Sequence, residues 1–168
     1  MTRSWAMRTD QARRAFIWTE LLEGRLRQGW GYREDQDLEL LAQIRRAGGT
    51  LDAGQQATWH GNRLLLPTEP GAVSTGDLIV LPHLPRYGTW SIARVTGGYR
   101  YAISDQRNAT DHAQLDYGHI REVRVLTGPL GIEPWDEGVS AHLRAAMRPR
   151  IRMWNLDAFG EAIEGLVG

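Results

Sequence analysis

The sequence predicts an α+β protein built on a small, strongly curved sheet with helices packed around it. Between Gly76 and Ile103, three runs rich in β-branched and aromatic residues are separated by turn residues, which is the pattern of short consecutive strands. Segments 35–47 and 156–167 instead place apolar residues at helical spacing. Together the two patterns favour the α+β class.

The N-terminal part predicts one strand and a bend. Residues 1–14 are polar and rich in arginine, and we expect a loose or partly helical lead-in. Ala15–Trp18 is the candidate first strand. In Gly24–Tyr32, glycines on both sides of Trp30 predict a bent strand end whose backbone something can approach closely.

Two helices are predicted before the central strands. The first covers Asp35–Ala47, where leucine and isoleucine recur at helical spacing until Gly48-Gly49 ends the pattern. The second, weaker helix begins at an Asp52 cap, includes Trp59 and ends at Gly61.

The central segment predicts a strand followed by a hairpin. Leu78–Leu81 is a continuous apolar run of strand length. Trp90–Val95 and Tyr99–Ile103 alternate in polarity, and the Gly97-Gly98 pair lies between them. Because glycine takes positive φ without steric cost, this pair predicts a hairpin turn.

The C-terminal part predicts one more strand and two helices. A polar loop of about fifteen residues, Ser104–Gly118, is long enough to be functional or mobile. A strand at Ile120–Leu126 is closed by Gly128-Pro129. Apolar residues at helical spacing then predict helices at Asp136–Arg148 and Leu156–Val167.

Composition indicates one ordinary globular domain. The 168 residues are 42% hydrophobic and 24% charged. No window approaches the roughly 18 apolar residues of a membrane span, and the N-terminus lacks the apolar region of a signal peptide. We therefore expect a cytoplasmic protein with no membrane partner, and the absence of cysteine agrees with that location.

The absence of cysteine and lysine excludes several chemistries. All twenty basic residues other than histidine are arginine. Thiol nucleophiles, zinc ribbons, iron–sulfur sites, Walker A lysines, Schiff-base lysines and the lysine of a PD-(D/E)-x-K nuclease are therefore ruled out. Arginine suits bidentate contacts with phosphates and base edges. The net charge is zero, which favours a small nucleotide site with a basic rim over a general nucleic-acid coat.

The order of these segments resembles a known family. It comprises a Gly-Trp-Gly at a strand end, a short helix, a Gly-Asp-Leu-Ile-Val strand, a W-S-I-A-R-V-x-G-x-Y-x-Y hairpin and a strand after Asp-Tyr-Gly-His. This pattern, over residues 15–126, resembles PUA-like domains of the EVE and YTH-like kind, which are reader modules beside nucleases in bacterial modification-dependent restriction systems.

The resemblance implies a curved β-barrel of five to six strands flanked by helices. It implies an aromatic pocket that takes a modified base, flipped out of a duplex or displayed by a single strand, without catalysis or a cofactor. We accordingly expect a lead-in at 1–14, a reader domain at 15–126, and a helical extension or a linker to an effector at 127–168. The expected partners are modified DNA, with a methylated duplex foremost, and a nuclease domain or subunit.

A flipped base needs aromatic faces to stack on and polar groups that read its edge. Trp30 is the first candidate wall, because its flanking glycines leave the indole little shielded, and Trp90 is the second. Large aromatic residues of a small domain are more often part of the core. The remaining candidates for the walls and the base edge are Trp18, Tyr32, Tyr101, Trp59 and Gln28.

Arginines near these aromatic residues are the candidate phosphate ligands. Any one of them could equally be a solvated surface residue. The group comprises Arg25, Arg27 and Arg33 around Trp30, and Arg86 and Arg100 around the Trp90 run. A further run, Arg144–Arg152, holds four arginines that could follow a nucleic-acid backbone or cap a helix.

Three alternatives stay open. Asp111, His112, Asp116 and His119 are residue types that bind a divalent ion or perform acid–base catalysis, although their spacing matches no ligand signature and a polar loop explains them. A PUA-like domain could bind RNA instead of DNA. The chain could also be a nucleotide-sensing or protein-interaction module that uses its apolar C-terminal helix.

Overall fold

The structure is a computed structural model that describes residues 2–103, 116–132, 139–149 and 151–168. It confirms the α+β class, with a six-stranded mixed sheet and helices on both faces. The strands are β1 (Ser4–Met7), β2 (Arg25–Gln28), β3 (Leu78–Pro82), β4 (Thr89–Tyr101), β5 (His119–Gly131) and β6 (Met153–Asn155). The main helices are α1 (Arg14–Leu22), α2 (Leu38–Arg46), α3 (Ala53–Asn62), α4 (Ala141–Ala146) and α5 (Gly160–Val167).

The sheet is open, so the closed barrel implied by the resemblance is not formed. Its strand order is β2-β5-β4-β3-β1-β6. The β1–β3 pair is parallel and the other four pairs are antiparallel. Within the described residues, β2 and β6 each have one strand neighbour, which makes them the two edges.

The predicted loose lead-in is wrong, because residues 4–7 form a central strand. β1 lies between β3 and β6 in the sheet, and all four of its residues are buried. The Nε1 of Trp5 donates to the Asp77 carboxylate at 3.0 Å, which ties β1 to the start of β3. A strand of only four residues between arginine-rich flanks is too short to show an alternation of apolar and polar residues.

The candidate strand Ala15–Trp18 is also wrong, since these residues lie in α1. Ile17 and Leu21, four positions apart, are the buried face of that helix. An apolar run of four residues does not distinguish a strand from one turn of a helix. By contrast, α2 and α3 confirm both early helices, and the Asp52 side chain caps α3 by accepting from the Gln55 N–H at 2.8 Å.

The hairpin predicted at Gly97-Gly98 is wrong, because β4 runs continuously from Thr89 to Tyr101. Its antiparallel partner throughout is β5, with a register irregularity between Val95 and Tyr99. A Cβ on Gly97 would overlap the Glu122 carboxylate on β5, so this irregularity requires a residue without a side chain. The glycine pair therefore marks a bulge.

Each face of the sheet has its own core. The first contains residues of α1, α2 and α3, and the second contains residues of α4 and α5. Ile79 belongs to the first core and Val80 to the second, because successive strand residues point to opposite faces. Burial on both faces explains why the β3 sequence is a continuous apolar run.

The C-terminal helices are confirmed in place, although α4 is shorter than expected over the described residues. The expected boundary at 126 falls inside β5, and β6 pairs with β1. The sheet thus draws strands from all three of the expected segments. No helix in the described part of the chain combines the length and the apolar character needed to cross a membrane.

Candidate functional site

The bend after β2 presents Trp30 in an unusual conformation. Its φ is 66°, in the left-handed region that bulky residues rarely adopt, and 42% of its surface is exposed. Such a backbone conformation costs on the order of 1–3 kcal/mol and persists only where the surroundings over-determine it. Backbone strain and exposure therefore coincide at one tryptophan.

Four hydrogen bonds hold this bend in place. The carboxylate Oδ1 of Asp116 accepts from the N–H of Trp30 at 2.8 Å and from that of Gly31 at 3.1 Å. The Trp30 carbonyl accepts from Thr58 Oγ1 at 3.0 Å and bonds His119 Nε2 at 2.9 Å. Contacts from α3 and from the segment 116–119 thus fix the backbone that carries the indole.

Close packing beneath the bend requires glycine at position 31. A Cβ there would lie 2.8 Å from His119 Cδ2 and 2.9 Å from the Tyr101 ring, which is shorter than normal carbon contacts. The packing of these two rings beneath the bend therefore explains the second glycine of the Gly-Trp-Gly sequence.

His119 is a buried, neutral support of this bend. Since the Trp30 carbonyl can only accept, Nε2 carries the proton, and Nδ1 accepts from the Tyr99 hydroxyl at 2.9 Å. Burial lowers the pKa of His119 to about 4, because an imidazolium would be cut off from water. The ring therefore stays neutral at physiological pH.

Trp30 lines a cleft of about 820 Å³ between β1, the bend, α3 and residues 151–153. α3 contributes Ala57, His60 and Gly61, whose spacing places them on one face of the helix. Ile151, with 58% of its surface exposed, adds an apolar side chain opposite the polar groups. This volume lies within the range of small-molecule pockets, roughly 300–1,000 Å³.

The cleft carries more positive than negative charge. Three arginines line it, Arg8, Arg63 and Arg152, against the carboxylates of Asp10 and Asp116. The Tyr117 hydroxyl donates to Asp10 at 2.5 Å. Burial raises the pKa of Asp116, although the hydrogen bonds that it accepts from two backbone N–H groups act to lower that pKa.

Arg152 covers the Trp30 indole. Its guanidinium carbon lies 4.3 Å from the ring centroid, in cation–π geometry. Its Nη1 donates to Asn62 Oδ1 at 3.1 Å, and Asn62 Nδ2 donates to the Gly29 carbonyl at 2.8 Å. Burial lowers the pKa of Arg152, while the nearby Asp116 favours its charged form.

Only two of the seven predicted base-binding residues line the cleft, Trp30 and Gln28. The Gln28 amide is already used, since its Nε2 donates to the Arg8 carbonyl at 3.0 Å and its Oε1 accepts from the Gly29 N–H at 3.2 Å. Gln28 therefore positions the cleft wall and has little capacity left to read a base edge.

The other predicted aromatic residues lie elsewhere. Trp90 and Trp59 are buried, at 2% and 4% exposure, in the second and first core respectively. Trp18 is half-buried against the first core, and the Tyr101 hydroxyl donates to the Arg33 carbonyl at 2.6 Å. Tyr32 is exposed but does not line the cleft. None of these five residues lines the cleft, and Trp90, Trp59 and Trp18 pack in or against the two cores instead.

None of the five predicted phosphate ligands lines the cleft either. Arg25 and Arg27 both form ion pairs with Glu20, and Arg33 pairs with Asp35 and Asp52. Arg86 is exposed on the loop before β4, and Arg100 is exposed on β4 itself. The arginines nearest to Trp30 along the chain are thus already paired with carboxylates. These carboxylates are distant or unremarkable in the sequence.

The sequence missed the arginines that do line the cleft. Arg8 and Arg63 gave no local signal, because they reach the cleft from the end of β1 and the end of α3. Arg152 belongs to the basic run 144–152, which was the one available signal. Asn62 was missed as well, since its role depends on the position of the Gly29 carbonyl.

The residues suggested for a metal site have other roles where the structure describes them. Asp116 and His119 hold the bend through the hydrogen bonds given above. Asp111 and His112 lie outside the described residues. Within the described ranges, no group of three or more histidine and carboxylate residues is arranged to hold a metal ion.

The strain at Trp30 gives a stability test. Trp30→Gly and Trp30→Ala both remove the indole, so their difference reports the backbone conformation alone. We expect the glycine variant to be more stable by about 1 kcal/mol in chemical denaturation, because a left-handed φ is costly for alanine. At an ordinary position glycine is less stable than alanine, and that order would contradict the strained geometry.

Comparison with known proteins adds no family to this description, since no protein-family model and no curated protein matches the chain. Its function has to be inferred from the geometry of the cleft.

Proposed function

We propose that this protein is a non-catalytic reader of modified DNA, in which the modified base stacks on Trp30 inside the cleft. The observation that carries the proposal is the exposed indole on a backbone held by four hydrogen bonds in a costly conformation. Strain of this kind is typical of ligand clamps.

The surface of Trp30 suits a nucleobase. Stacking on an aromatic side chain contributes about 1–3 kcal/mol per base and needs one accessible ring face. Because hydrogen bonds from α3 and from the segment 116–119 fix the backbone of the bend, little ordering remains to be done when a base arrives. An exposed indole with no binding role would gain nothing from such support.

The polar side of the cleft suits the rest of a nucleotide. Arg152 presents a planar guanidinium over one face of the indole, and Arg8 and Arg63 also line the cleft. Guanidinium groups bind phosphates and base edges through paired N–H donors. Asp10 and Asp116 confine the positive potential to part of the cleft, which favours one nucleotide over a long stretch of backbone.

We further propose that the fold is a PUA-like variant whose sheet remains open, and that the protein directs a nuclease carried on the same or another chain. The Gly-Trp-Gly bend and the order of the central strands support this relationship. Catalysis is assigned to that nuclease, and the present chain supplies recognition only.

A binding screen tests the proposal. Short duplexes identical except for one base, either unmodified or carrying N6-methyladenine, 5-methylcytosine or a larger substituent, are titrated by fluorescence anisotropy at fixed salt. We expect at least tenfold tighter binding to one modified duplex, which corresponds to about 1.4 kcal/mol. Equal affinity for every duplex would refute modified-base recognition.

The same titrations separate the alternatives. Tighter binding to structured RNA than to every DNA duplex would assign an RNA-binding function instead. Binding of free nucleotides that matches or exceeds that of oligonucleotides would indicate a nucleotide sensor. The size of the cleft is compatible with a single nucleotide, which makes this second outcome the main competitor.

A further inference from the structure

A second hollow lies on the other side of α3. It has a volume of about 290 Å³ and is bordered by the end of α2, by Trp59 of α3 and by the chain after α3. Three arginines line it together with one carboxylate; they are Arg45, Arg46, Arg63 and Glu69. The hollow thus carries a net charge of about +2.

The three arginines of this hollow differ from those around the bend. Among the described residues, none of them forms an ion pair with a carboxylate, whereas Arg25, Arg27 and Arg33 all do. Glu69 lines the hollow without such a pair. The positive charge here is therefore available to an anion.

The three arginines contact backbone carbonyls and one ring. Arg46 Nε donates to the Ala42 carbonyl at 3.2 Å, and Arg63 Nη1 donates to the His60 carbonyl at 3.5 Å. The Arg45 guanidinium carbon lies 5.2 Å above the Trp59 ring, which orients it toward the hollow. The end of α2 explains why cations are favourable at positions 45 and 46. The end of α3 does the same for Arg63, which is the C-cap residue of that helix.

Arg63 connects the hollow with the cleft, because it lines both. Ala57 and His60 face the cleft from α3, while Trp59 of the same helix faces the hollow. α3 is thus a ridge with the proposed base site on one side and a basic hollow on the other. A strand whose base occupies the cleft can reach the hollow across the end of this ridge.

We propose that the hollow binds a backbone phosphate of the same strand whose base stacks on Trp30. This inference rests on the proposed function and adds a second contact to it. Arg45 and Arg46 donate to the phosphate oxygens from one side and Arg63 from the other. Guanidinium groups are the favoured partners of phosphate, because their paired N–H donors match its oxygens.

The salt dependence of binding tests this site. The preferred oligonucleotide of the screen is titrated at several salt concentrations with the wild-type chain and with the double variant Arg45→Gln, Arg46→Gln. We expect the slope of log K against log salt to become shallower by about 0.7 to 0.9, the value for one phosphate contact. Affinity should fall about tenfold at low salt, as for the loss of charged hydrogen bonds.

Arg124→Gln is the matched control, since Arg124 is an exposed arginine on β5 outside both hollows. It should leave the slope and the affinity unchanged. Melting temperatures of both variants show whether they remain folded, which is expected because Arg45 and Arg46 are exposed.

The outcomes separate the two proposals. If wild type binds and Trp30→Ala weakens binding, but the double variant keeps the wild-type slope, the phosphate site is wrong and the base site stands. If the double variant and Arg124→Gln lower the slope equally, the effect is general charge and the phosphate site is again wrong. If wild type binds no oligonucleotide at any salt concentration, both proposals fail.

Discussion

Replacing Trp30 by alanine is expected to weaken binding of the preferred modified oligonucleotide by about 5- to 150-fold, which is the range for losing one stacked base. The discrimination between modified and unmodified duplexes should disappear with it. The reason is that Trp30 is the only exposed tryptophan, tyrosine or phenylalanine among the described residues that line the cleft.

The folded state should change little in this variant. The indole is 42% exposed, and the polar contacts of the residue are made by its backbone. The main loss is the contact with the half-buried Arg152 guanidinium, which contributes about 0.5–2 kcal/mol. We therefore expect a melting temperature within a few degrees of wild type.

Two further variants make the result specific. Trp30→Phe keeps an aromatic face of smaller area and should retain part of the affinity. Tyr87→Ala removes a side chain that is 69% exposed outside the cleft, and it should bind as wild type does. Unchanged discrimination in Trp30→Ala, measured by the same anisotropy titration, would show that the base binds elsewhere.

Acidification is expected to remove about 3 kcal/mol of stability between pH 6.5 and pH 4 through His119 alone. The ordinary pKa of 6.5 applies in the unfolded chain, and burial lowers the pKa to about 4 in the folded protein. Between these values the unfolded state binds the additional proton, so the free energy of unfolding falls as the pH falls. The contribution is fully present above pH 6.5.

The His119→Gln variant isolates this effect. Glutamine offers an N–H donor to the Trp30 carbonyl without titrating, so its stability should change less between pH 6.5 and pH 4 than that of wild type. Asp116, whose pKa is raised by burial, is present in both proteins and cancels in the difference. Urea denaturation at closely spaced pH values measures it, and parallel pH profiles would contradict a buried neutral His119.

Protonation of His119 should also disturb the proposed base site. An imidazolium cannot accept from the Tyr99 hydroxyl, so the hydrogen bonds beneath Trp30 would have to rearrange. The glutamine variant separates this local effect from a general loss of structure.

Local pattern was a good guide where one face of an element is buried. α2 and α3 were predicted from helical spacing and from the Asp52 cap, and these signals lie within a few residues of one another. β1 was missed because four residues show no reliable period, and α1 was assigned wrongly because the four apolar residues Ala15–Trp18 fit a strand and a helix turn alike. The glycine pair in β4 was misread, since a bulge and a turn both require residues without side chains.

The exposed bend was predictable from the sequence for a similar reason. Glycines at positions 29 and 31 limit what can shield Trp30, and that constraint is covalent and local. The structure adds the left-handed backbone and the four hydrogen bonds, which come from α3, from Asp116 and from β5.

The sequence by itself predicted the α+β class and the two early helices, and it placed Trp30 at a bend between glycines. Only the tertiary structure decided which arginines are available, because ion pairing depends on carboxylates brought close by folding. Arg33 is neutralised by Asp52 from the start of α3, whereas Arg45, Arg46 and Arg63 meet no such partner within the described residues. The sequence shows where the arginines are, but only the folded structure shows which of them pair with carboxylates.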